Sequence, residues 1–246
     1  MSSSQLAQVM DAWAARAGVD SRQLPGPWGL EGWLNGRNLR HPAEPGRIAA
    51  WEQRYGASLP KSLHAWLSLS DGFYIDDAPW VHPLAAFGPM IPFARVPGMI
   101  IQPESWFELG NPDTETICID LGYVWPGGGC PVFTSGDDER HTSPRIIAPS
   151  FTSWFVRLLR EGGRPFWFDA GFESLGDPWL EHCRAVPPQR LPRRLLDLTA
   201  DVRGFLAQGA DERDIRAALG LSGLDLEAIF RFIQHASAID REPARA

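Results

Sequence analysis

Basic side chains are nearly absent from the middle of this chain of 246 residues. Between Ser62 and Glu139 the only one is Arg95, whereas eleven acidic side chains occupy the same stretch. The acids are Asp71, Asp76, Asp77, Glu104, Glu108, Asp113, Glu115, Asp120, Asp137, Asp138 and Glu139. The rest of the chain is slightly basic, so the formal net charge of -7 comes from the middle. A folded region with this asymmetry repels nucleic acid and anionic membranes and attracts basic proteins, although the same acids can serve only to solvate a surface.

Cysteine and long apolar runs are also scarce. Cys118, Cys130 and Cys183 form no C-x-x-C pair, which argues against a disulfide framework or a structural zinc site. Buried thiols in a reducing cytoplasm explain them better. No run approaches about eighteen apolar residues, and the chain starts without the features of a secretory signal. We therefore expect a cytoplasmic protein without a membrane span.

The usual catalytic and phosphate-binding motifs are missing, including G-x-S-x-G, the phosphate-binding loop and H-E-x-x-H. The glycines at Gly127–Gly129 precede a strand and not a helix, so they are interpreted as a flexible hairpin loop. The acids and histidine of Asp137–His141 could ligate a divalent cation if this loop folded back on itself. Consecutive residues rarely converge in that way, and a solvated turn is the preferred interpretation. We expect no catalytic residues, no metal and no cofactor.

Apolar periodicity predicts the order of helices and strands. Helices are expected at Gln5–Ala17, at Arg47–Tyr55, after Pro60 and after Ser150. Short strands or loops are expected at Phe73–Ile75, Leu84–Phe87 and Met99–Ile101, and strands are expected at Ile117–Leu121, Pro131–Thr134 and Arg145–Ala148. This order predicts an α+β fold, in which helices pack on one side of a mainly antiparallel or mixed central sheet. The expected shared core comprises Trp51, Leu63, Trp66, Ile117, Ile119, Phe151, Trp154 and Leu158.

Four parts of the chain are distinguished by composition and pattern. They are an N-terminal helical arm with an irregular segment (1–45), the α+β domain (46–165), an irregular linker (166–190) and a C-terminal helical appendage (191–246). The helices expected at Asp211–Leu219 and Leu224–His235 have the dimensions of a helix-turn-helix. A recognition helix presents Arg, Lys, Asn or Gln to the bases, whereas this one begins with Asp225 and Glu227. A packing bundle is therefore preferred to a DNA reader.

The region from Arg47 to Gly163 resembles the SUKH superfamily, which joins bacterial toxin-immunity proteins to fungal regulators of cell-wall synthesis. Three pieces carry the resemblance in the expected order: a first helix with a Leu-Pro entry to the second, a helix that ends in Asp-Gly, and strands that lead to a closing helix. In this chain they are Ile48–Gly56 with Leu59-Pro60, Trp66–Gly72, and then Ile117–Gly122, Pro131–Phe133 and Ile147–Phe151. Their order and spacing together are more specific than any one piece.

The resemblance implies a non-catalytic domain that binds proteins. Bacterial members typically neutralise a co-encoded toxin, and many such toxins act on nucleic acid through basic sites. The expected partner is therefore a protein, in particular a basic toxin domain, with no role for nucleic acid or membrane. A regulatory or scaffold role is the alternative, and an enzyme or a DNA-binding regulator that uses the C-terminal helices is a second one.

A binding surface is predicted where acids lie near turns and proline-rich loops. These acids are Asp71, Asp76, Asp77, Glu104, Glu108, Asp137 and Asp138. Trp80 and Trp106 lie among them in sequence and could be the aromatic anchors that an interface places at its centre. In the alternative interpretation both tryptophans belong to the core and the acids only solvate the surface.

Overall fold

The computed structural model describes residues 3–20, 22, 24, 38–90, 99–112, 115–136 and 143–240. The chain divides into two compact units. The first comprises Met1–Phe93 and Glu104–Pro178, and the second comprises Ala94–Pro103 and Trp179–Ala246. The predicted four-part division differs from this, because the N-terminal helix lies within the first unit and a segment from the middle of the chain lies within the second.

The described part of the first unit contains four α-helices, and local sequence accounts for their ends. They are α1 (Ser3–Ala17), α2 (Pro45–Tyr55), α3 (Lys61–Leu67) and α4 (Phe151–Arg160). Proline occupies the first turn of α2, where its missing N–H costs no hydrogen bond. Gly56 ends this helix in the left-handed conformation with φ of 60°. Ser150 caps α4, since its hydroxyl accepts a hydrogen bond from the backbone N–H of Ser153 at 3.1 Å.

Two antiparallel sheets complete the first unit and confirm the predicted α+β class. A hairpin pairs β1 (Phe73–Ile75) with β2 (Ala78–Val81), and the larger sheet has the order β3 (Trp106–Gly110), β4 (Ile117–Asp120), β5 (Val132–Thr134) and β6 (Arg145–Ala148). The backbone N–H of His82 donates to the carbonyl of Leu109 at 2.7 Å, which brings the end of β2 against β3. Gly110 permits this approach, because a Cβ atom there would lie 2.2 Å from the carbonyl oxygen of Trp80.

Of the three segments expected to be short strands or loops, Phe73–Ile75 is a strand and the other two are loops. Leu84–Phe87 forms a turn, because the carbonyl of Pro83 accepts from the N–H groups of Ala86 at 2.8 Å and Phe87 at 3.0 Å. Met99–Ile101 is bent and belongs to the second unit. Strand β3 was not predicted at all, although it lies at an edge of the larger sheet.

The predicted core is confirmed, since all of its side chains are at most 6% exposed and belong to one cluster. Trp13 of α1 joins the same cluster, and its indole N–H donates to the carbonyl of Ser62 at 2.9 Å. Helix α1 therefore packs on α3 and does not form a separate arm. Helix α4 packs both on α3 and on strand β6.

The second unit is helical and has its own apolar cluster. Its helices are α5, which begins at the boundary (Pro178–Ala185), α6 (Arg193–Leu196), α7 (Thr199–Ala207), α8 (Glu212–Leu219) and α9 (Gly223–Asp240). The predicted linker thus contains a helix, and a short 3₁₀ turn at Phe166–Phe168 precedes it in the first unit. Within the described ranges, none of the helices combines the length and the apolar character that a membrane span requires.

Candidate functional site

Asp76 and Asp77 form the tip of the β1–β2 hairpin. Both are exposed, and both adopt the left-handed conformation, with φ of 50° and 65°. A two-residue hairpin turn of this kind requires positive φ at both positions, which Asp, Asn and Gly tolerate best. The turn thus fixes two carboxylates on a rigid backbone. No described residue forms an ion pair or hydrogen bond with either carboxylate.

Hydrogen bonds bring two further loops to the same end of the sheets as this turn. The backbone N–H of Asn111 donates to the carbonyl of Pro79 at 2.8 Å, so the β3–β4 loop lies beside the start of β2. The N–H of Ser135 donates to the carbonyl of Thr116 at 2.9 Å, which places the end of β5 next to the same loop. We call this end of the first unit, built from the hairpin tip and residues 111–112, 115–116 and 135–136, the acidic end.

Two of the predicted site residues, Asp137 and Asp138, directly follow Gly136 in sequence and lie outside the described residues. The same holds for His141, so the predicted solvated turn stays a prediction. The flanking residues Ser135 and Gly136 belong to the acidic end. The chain therefore enters the Asp137–Asp138 segment from this end of the sheet, and their contribution to it remains an expectation.

Asp71 does not belong to the acidic end and has a structural role. Its side chain is 16% exposed, and its Oδ1 accepts a hydrogen bond from the backbone N–H of Leu84 at 2.6 Å. The other oxygen lies 3.9 Å from the guanidinium of Arg47. The carboxylate thereby holds the turn after β2 to the end of α3, so its orientation is set by the fold.

Glu104 and Glu108 are also separated from the hairpin tip. The Oε1 atom of Glu108 lies 3.2 Å from Nε2 of His82, and the two side chains are 22% and 14% exposed. Glu104 is exposed and precedes β3 at the opposite end of that strand, since β3 ends beside the acidic end. The structure therefore does not bring the predicted acids together on one surface: it places Asp76 and Asp77 at one end and Glu104 at the other.

The two predicted aromatic anchors lie in the interior, which corrects that part of the predicted surface. Trp80 is 5% exposed, and its ring centroid lies 6.0 Å from that of Trp167. Trp106 is fully buried, with its ring 4.7 Å from that of Phe133. Both rings pack among other buried side chains, Trp80 in the main apolar cluster and Trp106 against Phe133, so neither is accessible to a partner.

An exposed apolar side chain that was not predicted lies in the β4–β5 hairpin loop. Val124 is 67% exposed, and the loop closes through a hydrogen bond from the N–H of Trp125 to the carbonyl of Gly129 at 2.7 Å. The N–H of Leu121 donates to the carbonyl of Ser105 at 2.8 Å, so this loop lies beside Glu104. The sequence signal was the Pro126–Gly129 turn, which indicated a loop but not its exposure.

Asp120 is a buried carboxylate whose partners show that it supports the fold. Its Oδ1 accepts from the Ser105 hydroxyl at 2.7 Å and from the N–H of Gly122 at 2.8 Å. Its Oδ2 accepts from the indole N–H of Trp106 at 2.9 Å. Burial of a charged group is tolerated when hydrogen bonds satisfy it, as they do here. This acid locks β3 to the end of β4 and is withdrawn from the surface charge.

The thiols of the first unit are not poised for nucleophilic chemistry. Burial raises the pKa of Cys118 well above its ordinary value, and the nearby Glu108 raises it further. Burial raises the pKa of the half-buried Cys130 to about 11, with a smaller contribution from Asp120. Since the thiolate is the reactive form, both side chains are protonated and inert at neutral pH. Their environment agrees with the interpretation of these cysteines as ordinary thiols.

Slow alkylation of the folded protein is therefore expected. At pH 7, iodoacetamide should modify Cys130 far more slowly than it modifies a free thiol, because almost none of this side chain is thiolate. The rate should rise as the pH approaches 11. Mass spectrometry of timed samples measures it, with urea-unfolded protein as the control. Equal rates for folded and unfolded protein at pH 7 would contradict the raised pKa.

No group of three or more His, Cys, Asp or Glu side chains is arranged to hold a metal ion in the part of the chain that the structure describes. Asp137–His141 lies outside the described residues, so the expectation of no metal stays a prediction. No known protein-family model matches the chain, and no curated protein matches it either.

Proposed function

We propose that this protein binds a basic protein partner through the acidic end of its first unit, and that it acts without catalysis as an immunity protein of the SUKH type. The observation that carries the proposal is the hairpin tip, where Asp76 and Asp77 are exposed and have no ion-pair partner among the described residues. A carboxylate that is already paired would have to break that contact before it met a partner. The carboxylates of Asp76 and Asp77 have no such contact with a described residue to break.

The backbone of the hairpin adds to this availability. Positive φ at both positions holds the tip in one turn geometry, so little conformational freedom is lost when a partner binds. The two adjacent exposed carboxylates of Asp76 and Asp77 give the tip a local negative field. Such a field accelerates the approach of a basic protein and disfavours nucleic acid.

A regulatory or scaffold role is the second candidate. The observation that favours it is the second compact unit, which an immunity domain does not require. Binding of DNA by α8 and α9 is not proposed. Asp225 and Glu227 at the start of α9 are paired with Arg194 at 2.9 Å and with Arg231 at 2.6 Å, so these arginines are engaged within the unit.

Coexpression with the product of the adjacent gene tests the immunity function. We expect that product to arrest bacterial growth when expressed alone, and we expect growth to recover when this protein is present. The two proteins should also form a complex that isothermal titration calorimetry detects. A neighbouring product that is harmless and binds would favour the scaffold role. A toxic neighbour that this protein neither binds nor neutralises would contradict the immunity proposal.

The double variant Asp76→Asn with Asp77→Asn should slow association with that partner by about 2- to 10-fold at low salt, because rim charges act mainly on the association rate. Asparagine removes the charge but keeps the tolerance for the left-handed conformation, so the turn is retained. The salt dependence of the association rate should become weaker, while the dissociation rate changes little. Stopped-flow or surface plasmon resonance measurements at two salt concentrations provide both rates.

Glu104→Gln is the matched control for this experiment, since it removes one exposed charge from the opposite end of β3. It should leave the association rate nearly unchanged. If the double variant binds as fast as the wild type and keeps its salt dependence, the acidic end is not the steering surface. If Glu104→Gln has the larger effect, the partner approaches the end that carries Val124 instead.

A further inference from the structure

Gln234 on α9 forms hydrogen bonds with a segment from the middle of the chain that belongs to the second unit. Its Oε1 accepts hydrogen bonds from two consecutive backbone N–H groups, those of Ile100 at 2.8 Å and Ile101 at 3.0 Å. Its Nε2 donates to the carbonyl of Ile101 at 3.0 Å. The partners are 134 and 133 residues away in sequence. Both the oxygen and the nitrogen of this side-chain amide therefore form hydrogen bonds with the backbone of Ile100 and Ile101.

Apolar contacts surround these hydrogen bonds. The side chains of Ile100 and Ile101 are partly buried against the apolar cluster of the second unit. Phe230 and Ile233, one turn and one residue before Gln234 on α9, belong to that cluster. Gln234 itself is only 4% exposed, and Pro103 at the end of the segment is also buried. The helices thus offer an apolar surface with one polar group at its edge.

The buried amide of Gln234 requires hydrogen-bond partners, and the segment at Ile100 and Ile101 supplies them. A buried side-chain amide is costly unless its oxygen and nitrogen are both hydrogen-bonded, and here both atoms form hydrogen bonds with the segment. If the segment left, the amide would face the apolar cluster without these partners. A glutamine at a buried position of an otherwise apolar helix face is therefore explained by the ligand that it binds.

The geometry also defines the class of ligand. Successive N–H groups of an extended strand point in opposite directions, so two that converge on one oxygen require a bent backbone. The segment is indeed bent at Ile100 and Ile101. The polar contacts involve backbone atoms only, and the side-chain contacts are aliphatic. Recognition of this kind depends on a bend that carries two adjacent aliphatic side chains.

We propose that the second unit is a peptide-binding module, whose ligand is a bent segment with two adjacent aliphatic residues and whose site is filled in cis by Met99–Pro103. The internal segment then competes with any external peptide of the same chemistry. Because the site is free only when the internal segment leaves, the apparent affinity for an external peptide is reduced by the fraction of free sites. This proposal is independent of the acidic end and of the proposed function.

The test uses a fluorescent peptide with the sequence of residues 96–103 and the full-length chain. The double variant Ile100→Ser with Ile101→Ser weakens the internal competitor while the site on the helices stays intact. Fluorescence anisotropy should show saturable binding to this variant that is at least about tenfold tighter than binding to the wild type. A peptide with serine at both isoleucine positions should not bind. Addition of Gln234→Leu should abolish binding, whereas addition of Gln208→Leu, an exposed glutamine of the same unit, should leave it unchanged.

Three results would overturn the proposal. They are no saturable binding to the folded double variant up to about 1 mM protein, equal affinity for the double variant and the wild type, and equal affinity with and without Gln234→Leu. Should the double variant fail to fold, hydrogen exchange on otherwise wild-type protein decides the matter. Gln234→Leu should then accelerate exchange of the Ile100 and Ile101 amides by about tenfold or more, and Gln208→Leu should not. If the exchange rates of the Ile100 and Ile101 amides were unchanged in Gln234→Leu, the hydrogen bonds on which the site depends would not hold the segment.

Discussion

Replacement of Trp66 by alanine is expected to lower the free energy of unfolding by about 3–5 kcal/mol. The side chain is fully buried at the point where three helices and the first hairpin meet. Its ring lies 4.6 Å from that of Phe155, 5.7 Å from that of Phe73 and 6.1 Å from that of Trp13. The indole N–H also donates to the carbonyl of Gly72 at 3.3 Å. The substitution removes all of these contacts and leaves a cavity between rigid rings.

Urea unfolding followed by tryptophan fluorescence measures this loss. All tryptophans except Trp179 belong to the first unit, so the signal reports mainly on the unit that carries the substitution. Trp125→Ala is the matched control, because that ring is only half-buried in the β4–β5 loop. Trp125→Ala should lower the free energy of unfolding much less than Trp66→Ala does. A loss for Trp66→Ala of less than about 1 kcal/mol, the size of an average substitution, would show that the core does not depend on this side chain.

The core could be predicted because its side chains repeat with the period of the element that carries them. Trp51, Trp66 and Trp154 lie on apolar helical stripes, and Ile117 and Ile119 alternate along a strand. Strand β3 gave no such signal. Its residues are buried on both faces except Glu108, so no alternation of apolar and polar residues marks it. Sequence alone therefore leaves open whether Trp106 is a surface anchor or a core residue.

The candidate surface was predictable only in part, because an acidic side chain has no preference that sequence alone reveals between solvent and a partner. Asp76 and Asp77 are at the surface because the hairpin turn demands their backbone geometry, which is a local property. The side chain of Asp71 accepts a hydrogen bond from the N–H of Leu84 and is thereby held away from the surface. Only the folded chain creates this contact. The grip of Gln234 on Ile100 and Ile101 is likewise a tertiary contact across more than half of the chain.

The second large effect concerns a single buried carboxylate. Asp120→Ala should lower the free energy of unfolding by about 3–5 kcal/mol, because it removes three hydrogen bonds to a buried carboxylate, one of them from the buried indole N–H of Trp106. The N–H groups of Trp106 and Gly122 can only donate, so neither can adapt to the loss, whereas the hydroxyl of Ser105 can rotate. The same urea experiment measures the change. Asp169→Ala provides the control, since that carboxylate pairs at the surface with Arg164 and its loss should cost far less.

Asp120→Asn separates the hydrogen bonds from the shape of the side chain. The amide has nearly the same volume but offers one acceptor oxygen, so in either orientation its NH₂ group meets an N–H donor, that of Trp106 or that of Gly122. We therefore expect an intermediate loss of about 1–3 kcal/mol. If Asp120→Asn were as stable as the wild type, the two donors would not need the carboxylate, and the connection between β3 and β4 would depend on backbone pairing instead. If Asp120→Ala were no worse than Asp169→Ala, the buried acid would contribute no more than a surface ion pair, and the fold would not account for its position.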